Sequence, residues 1–422
     1  MYQVKKLQNG LTVATATMPH MNSVSLGIWV GVGGRYEKPA ENGTCHFIEH
    51  MLFKGTKKRS AREISQDVEG IGGYLNAFTT EEMTCYHARA QHSHFQDLLD
   101  VLGDMFLDSQ FDKKELDKER GVIKEELAMY LDQPHQLVQE VLNETLWPGQ
   151  ALGRPLTGTP STLDGMSRDS LMEYKRTHYV ADRTIITFAG RIEHQHAVAA
   201  VSKIARRFST SPAPSSPPAD PKQDAPRLRL ITKKTEQTQV ALGIRACSRH
   251  DQRRFALRLL NTVLGENMSS RLFQVIREDR GLAYSIYSSL SYFDDVGTLN
   301  VSAGLDEDNL QKALGLIAKE LSLLKKQLVS TSELKRAKDY VLGQMDLSLE
   351  STDNQMNWIG EQLLGYGKII APDEIRHAIS RVKASEVRAV ARDFFRPERI
   401  NLSLVSPIKS GEGLLKLIAL QD

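Results

Sequence analysis

Short runs of apolar residues open the chain. Residues 1–7 and 11–17 alternate apolar with polar, and residues 24–32 are apolar nearly throughout, patterns that predict half-buried and fully buried β-strands. Residues 44–54 shift to a helical period, with Gly55 as a stop. Ser60 and Glu63, three positions apart, form a capping box in which each side chain satisfies a free backbone N–H at the start of the following helix. Residues 74–79 and 83–90 read as two strands around a polar turn. Residues 113–132 read as a long charged helix, with Pro134 just past its end.

The same order of signals returns later. Residues 227–232 and 239–246 are strand-like; helical stretches follow, then two more strand-like runs, then long amphipathic helices. Each half finishes on a strand, at residues 184–189 and 400–405. Between the halves, residues 209–226 hold 6 of the 15 prolines and read as a semi-rigid, extended linker. The pattern predicts an α+β protein of two related domains, each a mostly antiparallel sheet packed with helices. The expected boundaries are residues 1–208, the linker 209–226, and residues 227–422.

Composition narrows the function. The 422 residues, 41% hydrophobic and 25% charged, suit a globular chain with a large core and no need of disulfides. Lys and Arg number 54 against 52 Asp and Glu, a formal net charge of +2. That balance argues against nucleic acid or an anionic membrane as the main partner. The longest apolar stretch, residues 24–34, is too short to span a bilayer. The first residues lack the apolar segment of a secretory signal, and Cys45, Cys85 and Cys247 are too dispersed for a disulfide framework. A cytoplasmic location is expected.

Chemistry concentrates in H-x-x-E-H at residues 46–50. On a helix, His46 and His50 leave the same face one turn apart and can share one Zn²⁺. Glu49 sits at the edge of that face, free to act on a water. With 12 histidines in the chain, chance produces such a pentapeptide about 0.02 times per chain of this length. Catalytic zinc takes three protein ligands, so a third is expected elsewhere. Glu119 and Glu126 are two helical turns apart and share a face with Val122 and Ile123 between them, an arrangement that turns carboxylates inward. Glu125 projects to another side.

With these motifs the chain resembles the M16, or pitrilysin-like, metallopeptidases, which include insulin-degrading enzyme and mitochondrial processing peptidase. It is most similar to bacterial processing-protease-like members of about this length. The resemblance implies one Zn²⁺ per chain, held by His46, His50 and Glu126, with Glu49 as general base and Glu119 orienting a ligand. The E-R-x-V-I frame at residues 119–123 selects Glu126, yet 75 residues intervene after His50, one off the family's interval, and this keeps Glu125 open. Gly72 to Thr79, with Glu82, is similar to the family's G-G-x-L-N-A strand, which implies that Asn76, Ala77 and Glu82 meet substrate backbone. Ser270 to Phe273 and Arg277 to Tyr284 resemble the block whose Arg and Tyr bind the substrate carbonyl; they match Arg277 and Tyr284. The second half has no H-x-x-E-H of its own. What the resemblance implies is a zinc metalloendopeptidase acting on extended oligopeptides or unfolded polypeptides in an enclosed chamber. It further implies a homodimer in which Arg277 and Tyr284 act across the subunits. The rival expectation is a catalytically silent partner subunit of the same fold. Gly31 to Tyr36, though glycine-rich, lacks the last glycine of a dinucleotide fingerprint.

Overall fold

The structure, a computed structural model, describes residues 2–420. Two compact units emerge, each an α+β assembly around its own mixed sheet.

The first unit contains strands β1 (Tyr2–Lys6), β2 (Thr12–Thr17), β3 (Ser23–Val30), β4 (Tyr74–Thr79), β5 (Thr84–Gln91) and β6 (Thr184–Gly190). They pair in the order β1-β2-β6-β3-β5-β4, parallel only between β2 and β6. β4 is therefore an edge strand. Helices α1 (Thr44–Leu52), α2 (Ala61–Glu69) and α3 (Phe95–Asp108) bury their apolar sides in one core with Leu26, Ile28 and Tyr86 of the sheet. The expected capping box is present at α2, where Ser60 Oγ accepts the Glu63 N–H. The helix α4 (Lys113–Asp132) has the expected bounds, and α5 (Pro134–Leu146) starts on Pro134, whose missing N–H costs nothing at a first turn.

The opposite face of this sheet carries Trp29, with Ala14 and Ala16 beside it. Alternation along β3 explains it, since Ile28 and Trp29 point to opposite faces. Trp29 is covered by the helix Thr352–Tyr366, through Met356, Ile359 and Leu363. Approach is close: a Cβ on Gly360 would lie 2.2 Å from the indole.

The second unit's strands are β7 (Arg227–Thr232), β8 (Thr238–Ala246), β9 (Ala283–Tyr292), β10 (Gly297–Leu305) and β11 (Ile400–Ser406). Their order is β7-β11-β8-β10-β9, parallel only between β7 and β11. One face packs on the helices Leu310–Lys326 and Ala384–Phe394; the other receives Val138, Leu142 and Leu146 of α5.

The expected boundaries need correction here. The units are residues 1–127, 154–217 and 346–370, and residues 128–153, 218–345 and 371–422. The division does fall within the Pro-rich linker, between Pro217 and Pro218, but each sheet takes its second covering helix from the other half of the sequence. A sheet with two apolar faces needs two helical layers, and nothing in the local pattern of an amphipathic helix says which sheet it will cover. Among the described residues no helix is long and apolar enough to cross a membrane.

Candidate metal centre

α1 carries His46, Glu49 and His50. Its start is unusual. Gly43 precedes it at φ 94°, a left-handed conformation suited to glycine, and a Cβ there would press within 2.8 Å of Gly158 Cα. Gly43 has no side chain to cap the helix. The buried Glu37 carboxylate does so instead, accepting the N–H groups of Gly43 (2.8 Å) and Cys45 (2.7 Å). Burial raises the Glu37 pKa, against these hydrogen bonds.

α4 meets α1 through side chains. The Arg120 guanidinium lies over the Phe47 ring of α1 at 5.6 Å and donates to the carbonyls of Leu163 and Met166. With α4 so placed, Glu126 Oε2 comes 3.7 Å from His46 Nε2 and 3.5 Å from His50 Nε2. Three ligand atoms, one from each residue, lie within 4.8 Å of one another, the single such group among the described residues. Ligands held at 2.0–2.1 Å on a tetrahedral ion stand about 3.3 Å apart, so the residues fit a zinc ion with little adjustment.

Protons are arranged to suit. His50 Nδ1 faces Glu119 Oε2 at 3.1 Å, which leaves Nε2 turned toward Glu126. Glu119 is almost wholly buried, and its other oxygen meets Lys54 Nζ at 2.8 Å. Burial, reinforced by His50, lowers the His46 pKa to about 4, which keeps that imidazole neutral at neutral pH. For His50 burial works the same way, but hydrogen bonds to Glu126 and Glu119 outweigh it and its pKa is raised. Glu49 accepts the Thr79 hydroxyl from the end of β4; burial raises its pKa.

A family model described as Insulinase (Peptidase family M16) matches residues 12–160, and one described as Peptidase M16 inactive domain matches residues 165–341. A Bacillus subtilis relative, named uncharacterized zinc protease YmxG, is 39% identical over 95% of this chain and 97% of its own length. The chain belongs to peptidase family M16. A Streptomyces coelicolor relative named uncharacterized zinc protease SCO5738 is also 39% identical, over 96% of this chain and 89% of its own. The crystal structure of a protease from Helicobacter pylori shares the fold, with a TM-score of 0.90 at 22% identity over 96% of this chain and 99% of that one.

Within this M16 chain the predicted residues divide clearly. His46, His50, Glu126, Glu49 and Glu119 converge. Glu125 is exposed, and Glu126 is the one of the two that lies beside both histidines. Val122 does not line an apolar stripe with Ile123; it is 45% exposed while Ile123 is buried. An α-helix turns 100° per residue, so adjacent positions cannot share one narrow face. Asn76 and Ala77 lie on the edge strand β4, where the Asn76 side-chain oxygen accepts the Ala77 N–H at 2.9 Å. Glu82 pairs with the buried Arg35 at 2.7 Å and ties the β4–β5 turn to the segment before α1. In the second unit, Arg277 and Tyr284 come together at the start of the edge strand β9, the guanidinium 5.9 Å from the ring centre. Tyr284 is 76% exposed. Sequence reasoning did not single out Lys54, Thr79 or Glu37, which contact Glu119, Glu49 and the start of α1; only Lys54, one helical turn beyond His50, left a signal in spacing.

Proposed function

We propose that the chain is a zinc-dependent endopeptidase, one Zn²⁺ per chain, that hydrolyses peptide bonds in extended oligopeptides or unfolded polypeptides. The observation that carries the reading is the convergence of His46, His50 and Glu126 with a separate acid, Glu49, beside them and committed to no ligand group. Zinc bound by those three residues would polarise a carbonyl and acidify a water.

The chain's own groups supply the rest. Glu49, steered by the Thr79 hydroxyl, takes a proton from water as it attacks the scissile carbonyl and returns it to the departing amine. Glu119 accepts the His50 Nδ1–H and holds the ring in the tautomer that offers Nε2. Substrate lies along the free edge of β4 as an added strand, recognised mainly through its backbone, which gives affinity with loose sequence preference. Arg277 and Tyr284 donate to the oxyanion that develops on the carbonyl, and a second copy of the chain supplies them, closing a chamber around the peptide. All three cysteines are free and buried, which suits a reducing, cytoplasmic setting.

Zinc content measured beside cleavage of a quenched peptide tests the reading, with Glu49→Gln as control. Stoichiometric zinc with activity lost only in the variant supports it. A metal-free chain refutes it and points to a silent subunit; a zinc-loaded wild type that leaves every peptide intact refutes it as well. Mixed dimers of Glu49→Gln and Tyr284→Phe chains test the shared site: recovered cleavage supports it, and inactivity in verified mixed dimers removes it.

A further inference from the structure

We propose that Glu37 is a positioning residue of the metal centre: its carboxylate replaces the missing side-chain cap of α1 and fixes the turn from which His46 projects. The inference rests on the reading that His46, His50 and Glu126 hold zinc.

α1 has nine residues, too few to be stable alone, and bears two of the three ligands. Its first turn must therefore be held from outside. An N-cap side chain is excluded, because Gly43 is confined to φ 94° and to close approach of the backbone at Thr157 and Gly158. Glu37 supplies what the cap cannot. One carboxylate oxygen takes the Cys45 N–H and the other takes the Gly43 N–H, so the two bonds hold the N-cap and the second residue of the helix. The residue following Cys45 is His46. Negative charge at a helix N-terminus is favoured by the aligned peptide dipoles. The carboxylate is itself held: Asn42 Nδ2 donates to it at 3.2 Å and also to the Pro155 carbonyl, and Arg154 donates to the Glu37 carbonyl at 2.6 Å. Glu37 is 3% exposed and touches none of the three ligand atoms.

The test is Glu37→Gln in the full-length chain. The amide keeps the shape but has one acceptor, and its NH₂ opposes whichever N–H the oxygen does not take. Zn²⁺ affinity is measured by chelator competition on folded protein, alongside metal-free Tm and the KM and kcat of a quenched peptide. The expected result is a zinc affinity about tenfold weaker, the low end of the range for groups that bond a ligand directly, with KM nearly unchanged. Asn42→Ala, which leaves the carboxylate but frees it, should lose affinity in the same direction and by less. It decides the matter if Glu37→Gln does not fold. Wild-type zinc affinity in folded Glu37→Gln, or in Asn42→Ala when the first variant is unfolded, overturns the proposal and leaves Glu37 a stabilising cap. Failure of the wild-type chain to bind zinc is a different outcome, one that removes the underlying reading instead.

Discussion

Replacing Glu119 by Gln probes the proton arrangement behind His50. The carboxylate is nearly inaccessible and serves two partners, His50 Nδ1 at 3.1 Å and Lys54 Nζ at 2.8 Å. An amide can accept from only one of them, and its NH₂ must face the other donor. If the oxygen serves His50, the ring keeps its tautomer but Lys54 loses its counter-charge. If it serves Lys54, His50 is free to turn and to present the wrong nitrogen. Loss of a group that orients a ligand costs about 10–100-fold in metal affinity, or roughly 1.4–2.7 kcal/mol at 1.36 kcal/mol per tenfold change. Hydrogen bonds to charged groups contribute about 1.5–3 kcal/mol each, and Lys54, 27% exposed, can turn to water, so the fold should lose an amount near the lower end. The assay is chelator competition for Zn²⁺ at fixed pH, with thermal unfolding of the metal-free chain. Glu125→Gln, exposed on the same helix, is the control and should alter neither. Wild-type zinc affinity in Glu119→Gln would refute the assignment.

Other outcomes follow from the same geometry. Glu126→Gln should lose zinc binding almost entirely; equal loss in Glu125→Gln, read by metal analysis, would contradict the placement of α4. Glu49→Gln should retain zinc yet lose about 10²–10⁴-fold in kcat, the range for a general base. Because burial raises the Glu49 pKa, the folded state holds this proton more tightly than the unfolded chain, and the group's stabilising effect is lost as pH rises through that raised value. Metal-free Glu49→Gln should therefore lose less stability than wild type between acidic and neutral pH, as denaturant titrations at several pH values would show. Gly360→Ala should destabilise the first unit by about 1–3 kcal/mol through overpacking against Trp29, visible in urea unfolding. Residues 1–217 expressed alone should fail to fold cooperatively, since they lack the helix Thr352–Tyr366 that covers Trp29; a native-like, sharply unfolding fragment would argue otherwise.

The sequence by itself determined most of the local structure and the identity of the residues that converge at the candidate metal centre. Alternating and continuous apolar runs placed β2, β3, β4 and β6 within a residue or two, and the spacing of His46 and His50 put two imidazoles on one face because a helix repeats every 3.6 residues. A recurrence of signals about the Pro-rich linker anticipated two sheets. Tertiary structure alone decided the rest, and the reason is range. Whether Glu125 or Glu126 faces the histidines depends on how α4 is rotated against α1, which is set by Arg120 lying over Phe47 and by Ile123 entering the core. Which sheet a helix covers depends on the fit of side chains far apart in sequence, such as Trp29 against Gly360, and no local period encodes that pairing. Glu82 and Glu37 are alike as glutamates in the sequence. One is spent on a buried arginine and the other on the first turn of α1, because only the folded chain brings their partners within hydrogen-bond distance.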